Sequence, residues 1–151
     1  MTVGPPSDAL NSDAFLSDYN DSDELEALAA VDAIIGNFGA HRRDAYFAGF
    51  APEATFLFYT SDIRLESRAE YKALWASWET DNAFHVLSCR STKRRIQIFG
   101  DVAVFSHDVE TTLTMEGVEE TVYERESVIL ERRADAWLGI HEHLSAGAAA
   151  V

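Results

Sequence analysis

The stretch ERRADAWLGIHEHLS, residues 131–145, holds the pattern that decides the fold of this chain. A turn signal, Ala134-Asp135, separates two segments in which apolar and polar residues alternate. Such alternation is typical of β-strands with one buried face, so the stretch predicts the last hairpin of an antiparallel sheet. Its two histidines, His141 and His143, stand two residues apart and would therefore share one face.

The same period of two extends back from this hairpin to Phe84. Two further turn signals, Gly100-Asp101 and Glu116-Gly117, divide the segment, which predicts four long antiparallel strands joined as a meander. This meander would form the second half of the domain.

Helical spacing dominates the residues before Phe84. Apolar residues recur at helical intervals over about 22–38, and a shorter helix follows that Ala51-Pro52 should close. ATFLFYTSDIRLES then reads as a strand and a turn, and Ser67 with Glu70 forms a capping box for a third helix. The order predicts an α+β fold, in which the N-terminal helices pack on the concave face of a curved antiparallel sheet.

Composition limits the domain organisation and the partners. We expect a flexible acidic arm over 1–21, a single domain over 22–146 and a disordered tail over 147–151. Twelve basic and 26 acidic residues give a net charge of −14, which disfavours nucleic acid and anionic membranes as partners. No apolar run is long enough to cross a bilayer, and the single cysteine, Cys89, excludes an internal disulfide. A cytoplasmic location follows most simply.

A row of polar residues crosses the apolar face of the predicted sheet. If the three turns have two-residue loops, Arg94 lies opposite His107, His107 opposite Glu126, and Glu126 opposite His143. Unpaired polar groups in a core cost about 1–3 kcal/mol each, so four of them in a row predict the polar floor of a pocket. The helical aromatic residues Tyr46, Phe47, Trp75 and Trp78 would form its roof, and His141 its wall.

Two other interpretations of this row stay open. The histidines and Arg94 could share the carboxylate of Glu126 in a purely structural network. A shifted register would instead scatter the four residues over both faces of the sheet.

The pocket interpretation gives each residue a role. Arg94 would bind an anionic or carbonyl-bearing ligand, while His107 or His143, oriented by Glu126, would move a proton as a general acid or base. A metal held by the two histidines and Glu126 is disfavoured because the Arg94 cation would repel it. We therefore expect a small-molecule ligand and neither a metal nor a cofactor.

The opposite face of the sheet reads as surface. Asp108 faces Arg125 and Lys93 there as a cross-strand charge ladder, while Val104 and Ile129 keep the face partly apolar. A homodimer through this face is the expected assembly.

Three segments carry a resemblance to a known superfamily: GDVAVF at 100–105, RES at 125–127 and the stretch at 131–145 quoted above. The chain resembles the nuclear transport factor 2-like superfamily, also called SnoaL-like or cone-fold, and within it the association-domain branch of calcium/calmodulin-dependent protein kinase. The resemblance implies a cone-shaped domain with a cavity between sheet and helices, commonly dimeric through the sheet. It implies either isomerase, dehydratase or cyclase chemistry or, as the alternative, a non-catalytic self-association module.

Overall fold

A computed structural model describes residues 7–149 of the chain, with side chains from residue 22 onward. Residues 1–6 of the expected arm and residues 150–151 of the expected tail lie outside the described part. Within that part, no helix is both long enough and apolar enough to cross a membrane.

Three helices precede or interrupt the sheet: α1 (Ser7–Gly39), α2 (Arg43–Ala48) and α3 (Arg68–Asn82). Helix α3 begins where the capping box predicted it, because the Ser67 hydroxyl accepts the backbone N–H of Glu70 at 3.1 Å. Helix α1 begins at Ser7, so its first turns occupy part of the segment predicted as an arm.

Five strands form one sheet in the order β1-β5-β4-β3-β2. The strands are β1 (Phe50–Phe58), β2 (His85–Phe99), β3 (Val102–Met115), β4 (Val118–Arg133) and β5 (Ala136–Ala146). All three turns have the predicted two-residue loops, so β2 to β5 form the expected antiparallel meander. The sheet as a whole is mixed, because β1 lies parallel to β5 at the edge.

The second helix is shorter than the sequence predicted. It ends at Ala48 instead of continuing to Ala51-Pro52, because β1 already begins at Phe50, which pairs with Gly139 of β5. The Gly139 N–H also donates to the Gly49 carbonyl at 2.9 Å, which fixes this corner against the sheet.

The core lies between the helices and the inner face of the sheet. Trp75 of α3 is completely buried there, together with Phe105 of β3 and Leu130 of β4. The helices therefore cover the face that carries Ile96, Phe105 and Val128, as the apolar pattern predicted.

Two β-bulges change the register of this sheet. In β2, Lys93 and Arg94 together lie opposite His107, because the pairing shifts between Thr92 and Arg95. In β5, the extra residue is Ile140: Gly139 pairs with Leu130, but His141 pairs with Ile129.

The bulge at Ile140 reverses the faces of the rest of β5. Glu142 pairs with Val128 and Leu144 with Glu126, so these two side chains are on the inner face. The predicted pairs Val128–His141 and Glu126–His143 are therefore wrong, and both histidines are on the outer face.

Candidate functional site

A cavity of about 500 Å³ lies between the helices and the inner face of the sheet. Most of its wall is apolar and aromatic, with Phe38 of α1, Leu74 and Trp78 of α3, and Leu113 of β3 among the lining residues. Its size and composition are typical of small-molecule sites. The mouth lies where its lining residues are exposed, at Tyr59, Thr60 and Glu120.

His107 and Glu126 meet on the inner face of the sheet, as the sequence predicted. Nε2 of His107 lies 2.8 Å from Oε1 of Glu126, and Nδ1 lies 2.6 Å from the Ser91 hydroxyl. The His107 side chain is completely buried, whereas the Glu126 side chain is 15% exposed. Because both residues line the cavity, the exposed part of Glu126 is accessible to an occupant.

Glu142 is the site residue that the sequence reasoning missed. It is 4% exposed, lines the cavity and interacts directly with the carboxyl group of Glu126. Burial, followed by the negative charge of Glu126, raises the pKa of Glu142 well above its ordinary value. Glu142 therefore keeps its proton to a higher pH than a solvent-exposed glutamate does.

Glu126 carries the charge of this carboxyl pair. Burial alone would raise its pKa, but hydrogen bonds from His107 and Glu142 outweigh that effect and lower it. Two adjacent carboxyl groups in different environments thus take opposite states, one as a proton donor and the other as a proton acceptor.

Two tyrosines extend this network into the helical layer. The hydroxyl groups of Tyr46 and Tyr71 are 3.1 Å apart, and the Tyr46 hydroxyl lies 3.5 Å from Oε2 of Glu142. Burial, with the charge of Glu142 as the next cause, raises the pKa of both tyrosines far above the usual value. Both hydroxyl groups stay protonated and can donate hydrogen bonds beside Glu142.

The arrangement brings a proton acceptor and several proton donors to one end of an apolar cavity. Glu126 can accept a proton, while the Glu142 carboxyl and the Tyr46 hydroxyl can donate hydrogen bonds to an oxygen atom. Hydrogen-bond donors that are fixed where negative charge develops are a common source of enzymatic rate enhancement.

The four aromatic residues of the predicted roof fall into two pairs, one that lines the cavity and one that is buried behind it. Tyr46 and Trp78 line the cavity. Phe47 and Trp75 are almost completely buried behind them, where Trp75 packs on Tyr46 with ring centroids 5.5 Å apart. Phe47 and Trp75 therefore support the cavity wall from behind and do not contact the cavity itself.

Arg94 does not join the polar row. Because the bulge in β2 breaks the predicted pairing, its guanidinium forms an ion pair with Asp32 of α1 and lies 5.3 Å from the centroid of the Phe105 ring. It does not line the cavity, so the predicted cationic ligand-binding group is absent from this site.

The two histidines of β5 are also outside the cavity. His143 is exposed on the outer face, where it lines a separate shallow groove with Ser127 and Ser145. His141 is half-buried on that face, with Nδ1 2.7 Å from the Thr55 hydroxyl, and burial followed by the charge of His143 lowers its pKa. Neither histidine can act on a molecule in the cavity.

One signal in the sequence could have revealed Glu142. Gly139 is an isolated glycine inside a strand pattern, which commonly marks a bulge or a close approach of two backbones. A bulge next to Gly139 moves Glu142 to the inner face, which strict alternation had assigned to the histidines.

Metal binding and thiol chemistry have little support in this cavity. Within residues 7–149, no group of three His, Cys, Asp or Glu side chains is arranged to hold a metal ion. Cys89 lines the cavity, but burial raises the pKa of its thiol to about 12, so the reactive thiolate is scarce at neutral pH.

Comparison with known proteins gives a match over most of the chain. The family profile described as the SnoaL-like domain matches residues 27–149. Among curated proteins, none matches this sequence.

Many solved structures share the fold. An NTF2-like protein of unknown function from Prochlorococcus sp. NATL2A aligns with a TM-score of 0.68 at 15% identity, covering 84% of this chain and 94% of its own. A ketosteroid isomerase-like protein from Erwinia carotovora atroseptica aligns with a TM-score of 0.65 at 17% identity, covering 83% and 96%. The CaMKII hub homology domain from Chlamydomonas reinhardtii aligns with a TM-score of 0.64 at 18% identity, covering 83% and 98%. At these identities the likeness shows the fold alone.

Proposed function

The chain belongs to the SnoaL-like domain family, and we propose that it uses the family's cavity to bind a carbonyl-bearing small molecule and to move a proton on it. The observation that carries the proposal is the direct contact of two carboxyl groups in the lining of an apolar cavity, in which burial raises the pKa of Glu142 while hydrogen bonds from His107 and Glu142 lower that of Glu126. Because Arg94 lies elsewhere, the proposal no longer includes an anionic ligand.

In the proposed reaction, the O–H of Glu142 turns from Glu126 to the ligand's carbonyl oxygen, which also accepts a hydrogen bond from the Tyr46 hydroxyl, so that Glu126 is free to accept a proton. Glu126 removes a proton from the carbon next to the carbonyl, and the negative charge that develops on oxygen is stabilised by the two donors. Return of the proton from Glu126 to the far carbon of a conjugated double bond gives isomerisation. If the ligand instead carries a β-hydroxyl group, that group takes up the proton and leaves as water, which gives dehydration. His107 positions Glu126 through the 2.8 Å hydrogen bond.

The experiment measures the first step alone. Apolar ketones that carry hydrogens next to the carbonyl are incubated with the protein in D2O, and NMR follows the loss of these hydrogen signals. We expect exchange faster than in buffer, and Glu126→Gln should slow it by about 10²–10⁴-fold because the proton acceptor is gone.

Glu119→Gln is the matched control for this experiment. Glu119 is exposed on the outer face of the same strand, so the substitution removes the same charge without touching the cavity. Exchange no faster than buffer for every ketone, together with an unchanged melting temperature, would contradict the proposed function.

Self-association is a second candidate function, and the outer face of the sheet favours it. Val104, Ile129 and Leu138 are only half-buried there. One structural neighbour is named as a hub homology domain. The partner would be a second copy of this chain, bound through the sheet.

Sedimentation equilibrium tests this second candidate. A dimer through the sheet predicts that Ile129→Asp gives a monomer, because it places a charge in an apolar interface. Ala73→Asp adds the same charge at an exposed position of α3 and should leave the dimer intact. A monomeric wild-type protein at concentrations near 100 μM would remove this candidate.

A further inference from the structure

The wall of the cavity has an acidic side. Four glutamates line it, whereas no lysine or arginine of the described residues does. Three of the four, Glu120, Glu124 and Glu126, are on the inner face of β4, so they follow one line from the mouth to the carboxyl pair at the far end. With about 3.3 Å per strand residue, Glu124 lies about 7 Å and Glu120 about 20 Å from Glu126 along the strand.

Among the side chains of residues 22–149, the two glutamates nearer the mouth have no basic partner. Glu126 forms hydrogen bonds with His107 and with the carboxyl group of Glu142. Among the described residues, neither Glu120 nor Glu124 forms an ion pair, and Glu124 instead accepts a hydrogen bond from the Tyr59 hydroxyl. Burial raises the pKa of Glu124, as expected for a carboxylate whose charge is not neutralised nearby.

Aromatic side chains share the cavity wall with these carboxylates. Tyr59 is half-exposed at the mouth, and Trp78 lines the cavity. Aromatic faces attract cations and do not attract anions, so they strengthen the selectivity that the carboxylates impose. The two observations, one on charge and the other on ring chemistry, indicate the same kind of ligand.

We propose that the natural ligand is a cation: an apolar ketone or aldehyde that carries a protonated amine, with the carbonyl at Glu142 and the ammonium group at Glu124. This inference rests on the proposed function for the position of the ligand's carbonyl group, and it adds a positive charge at the other end of the ligand. The ammonium group then lies about 7–20 Å from the reacting carbon, within reach of Glu124, Glu120 and the Tyr59 ring. An anion of the same shape would be repelled by these carboxylates.

The experiment compares three ligands built on one aryl ketone and ending in an aminomethyl, a methyl or a carboxymethyl group. Titration calorimetry at pH 7 should show the amine binding about tenfold or more tightly than the methyl compound, and the carboxylate binding about tenfold or more weakly. Raising NaCl to 0.5 M should weaken the amine's affinity and leave that of the methyl compound unchanged.

Variants test whether the preference for the amine comes from the glutamates of the cavity wall. Glu124→Gln should remove most of the amine's advantage over the methyl compound, whereas Glu119→Gln on the outer face should leave both affinities unchanged. If Glu124→Gln does not fold, Glu120→Gln at the exposed mouth makes the same test, with a smaller expected loss.

The outcomes separate the two proposals. If the methyl ketone binds and exchanges its hydrogens but the amine binds no more tightly than the carboxylate, the charge proposal is overturned and the proposed function stands. If none of the three ligands binds, the proposed function fails and the charge proposal fails with it.

Discussion

At the scale of single residues, the cavity depends on how one proton is divided between Glu126 and Glu142. Both carboxyl groups belong to strands rich in charged residues, so the sequence gives no sign that they are buried. Their burial on the inner face makes two negative charges so close together costly, and His107 decides which group loses its proton.

The shifted pKa of Glu142 predicts how stability depends on pH. Its carboxyl group binds a proton more tightly in the folded than in the unfolded protein, so the free energy of unfolding should fall as pH rises above the ordinary value of 4.5. In Glu142→Gln the side chain cannot titrate, so this decrease in the free energy of unfolding should be absent. Relative to the wild type, the variant's free energy of unfolding should rise by up to about 1.4 kcal/mol per pH unit. This rise should end where the pH passes the pKa of Glu142 in the folded wild-type protein. Urea titrations between pH 4.5 and 9 measure the difference, and parallel curves would contradict the assignment.

The two kinds of histidine predict different costs of substitution. His107→Leu leaves the buried Glu126 without its hydrogen bond and should lower the free energy of unfolding by about 3–5 kcal/mol. His143→Leu, at an exposed position on the outer face, should change it by less than about 0.5 kcal/mol. Urea denaturation at pH 7 makes the comparison, and equal costs would show that His143 is not the surface residue described above.

At the scale of elements, the sequence predicts the strands and turns well and the bulges poorly. The loop Glu116-Gly117 takes two left-handed conformations, with φ of 54° and 79°, as the glycine suggested. Lys93 also has a positive φ of 50° in the β2 bulge, yet a lysine between Thr92 and Arg94 gives no sign of it in the sequence.

The candidate site was predictable only where the register was undisturbed. His107 and Glu126 were placed correctly because no bulge separates them from the Glu116-Gly117 turn. His141 and His143 were misplaced because the extra residue at Ile140 reverses the face of everything beyond it. Arg94 lies in the β2 bulge itself and stays beside Phe105, but its guanidinium pairs with Asp32 instead of joining the row. A purely local pattern of alternation does not record such an insertion.

The corner at Gly139 predicts a packing effect in β5. A Cβ atom at this position would lie 2.6 Å from Cδ1 of the buried Phe50 ring, so Gly139→Ala should cost about 1–3 kcal/mol of stability. Gly36→Ala in helix α1 meets no atom within 4 Å and should instead stabilise the protein by about 0.5–1 kcal/mol. Thermal and urea unfolding measure both changes. A neutral Gly139→Ala would mean that the Phe50 ring shifts at little cost and would contradict this prediction.

At the scale of the whole molecule, the net charge of −14 opposes folding. Salt screens this repulsion, so raising NaCl from 0.02 to 0.5 M should increase the free energy of unfolding by about 1 kcal/mol. The triple variant Glu26→Gln, Asp62→Asn and Glu119→Gln removes three exposed charges and should show a smaller gain. Urea denaturation at each salt concentration provides the measurement, and a salt-independent wild type would contradict this reading.

The extra residue at Ile140 also determines which chemistry the interior of the molecule can have. Loss of this one residue would turn the following side chains over, exchanging a carboxylic acid for a pair of imidazoles while every neighbouring amino acid kept its identity. Insertion or deletion of a single codon at this position therefore changes which polar groups face the cavity, without any substitution among them.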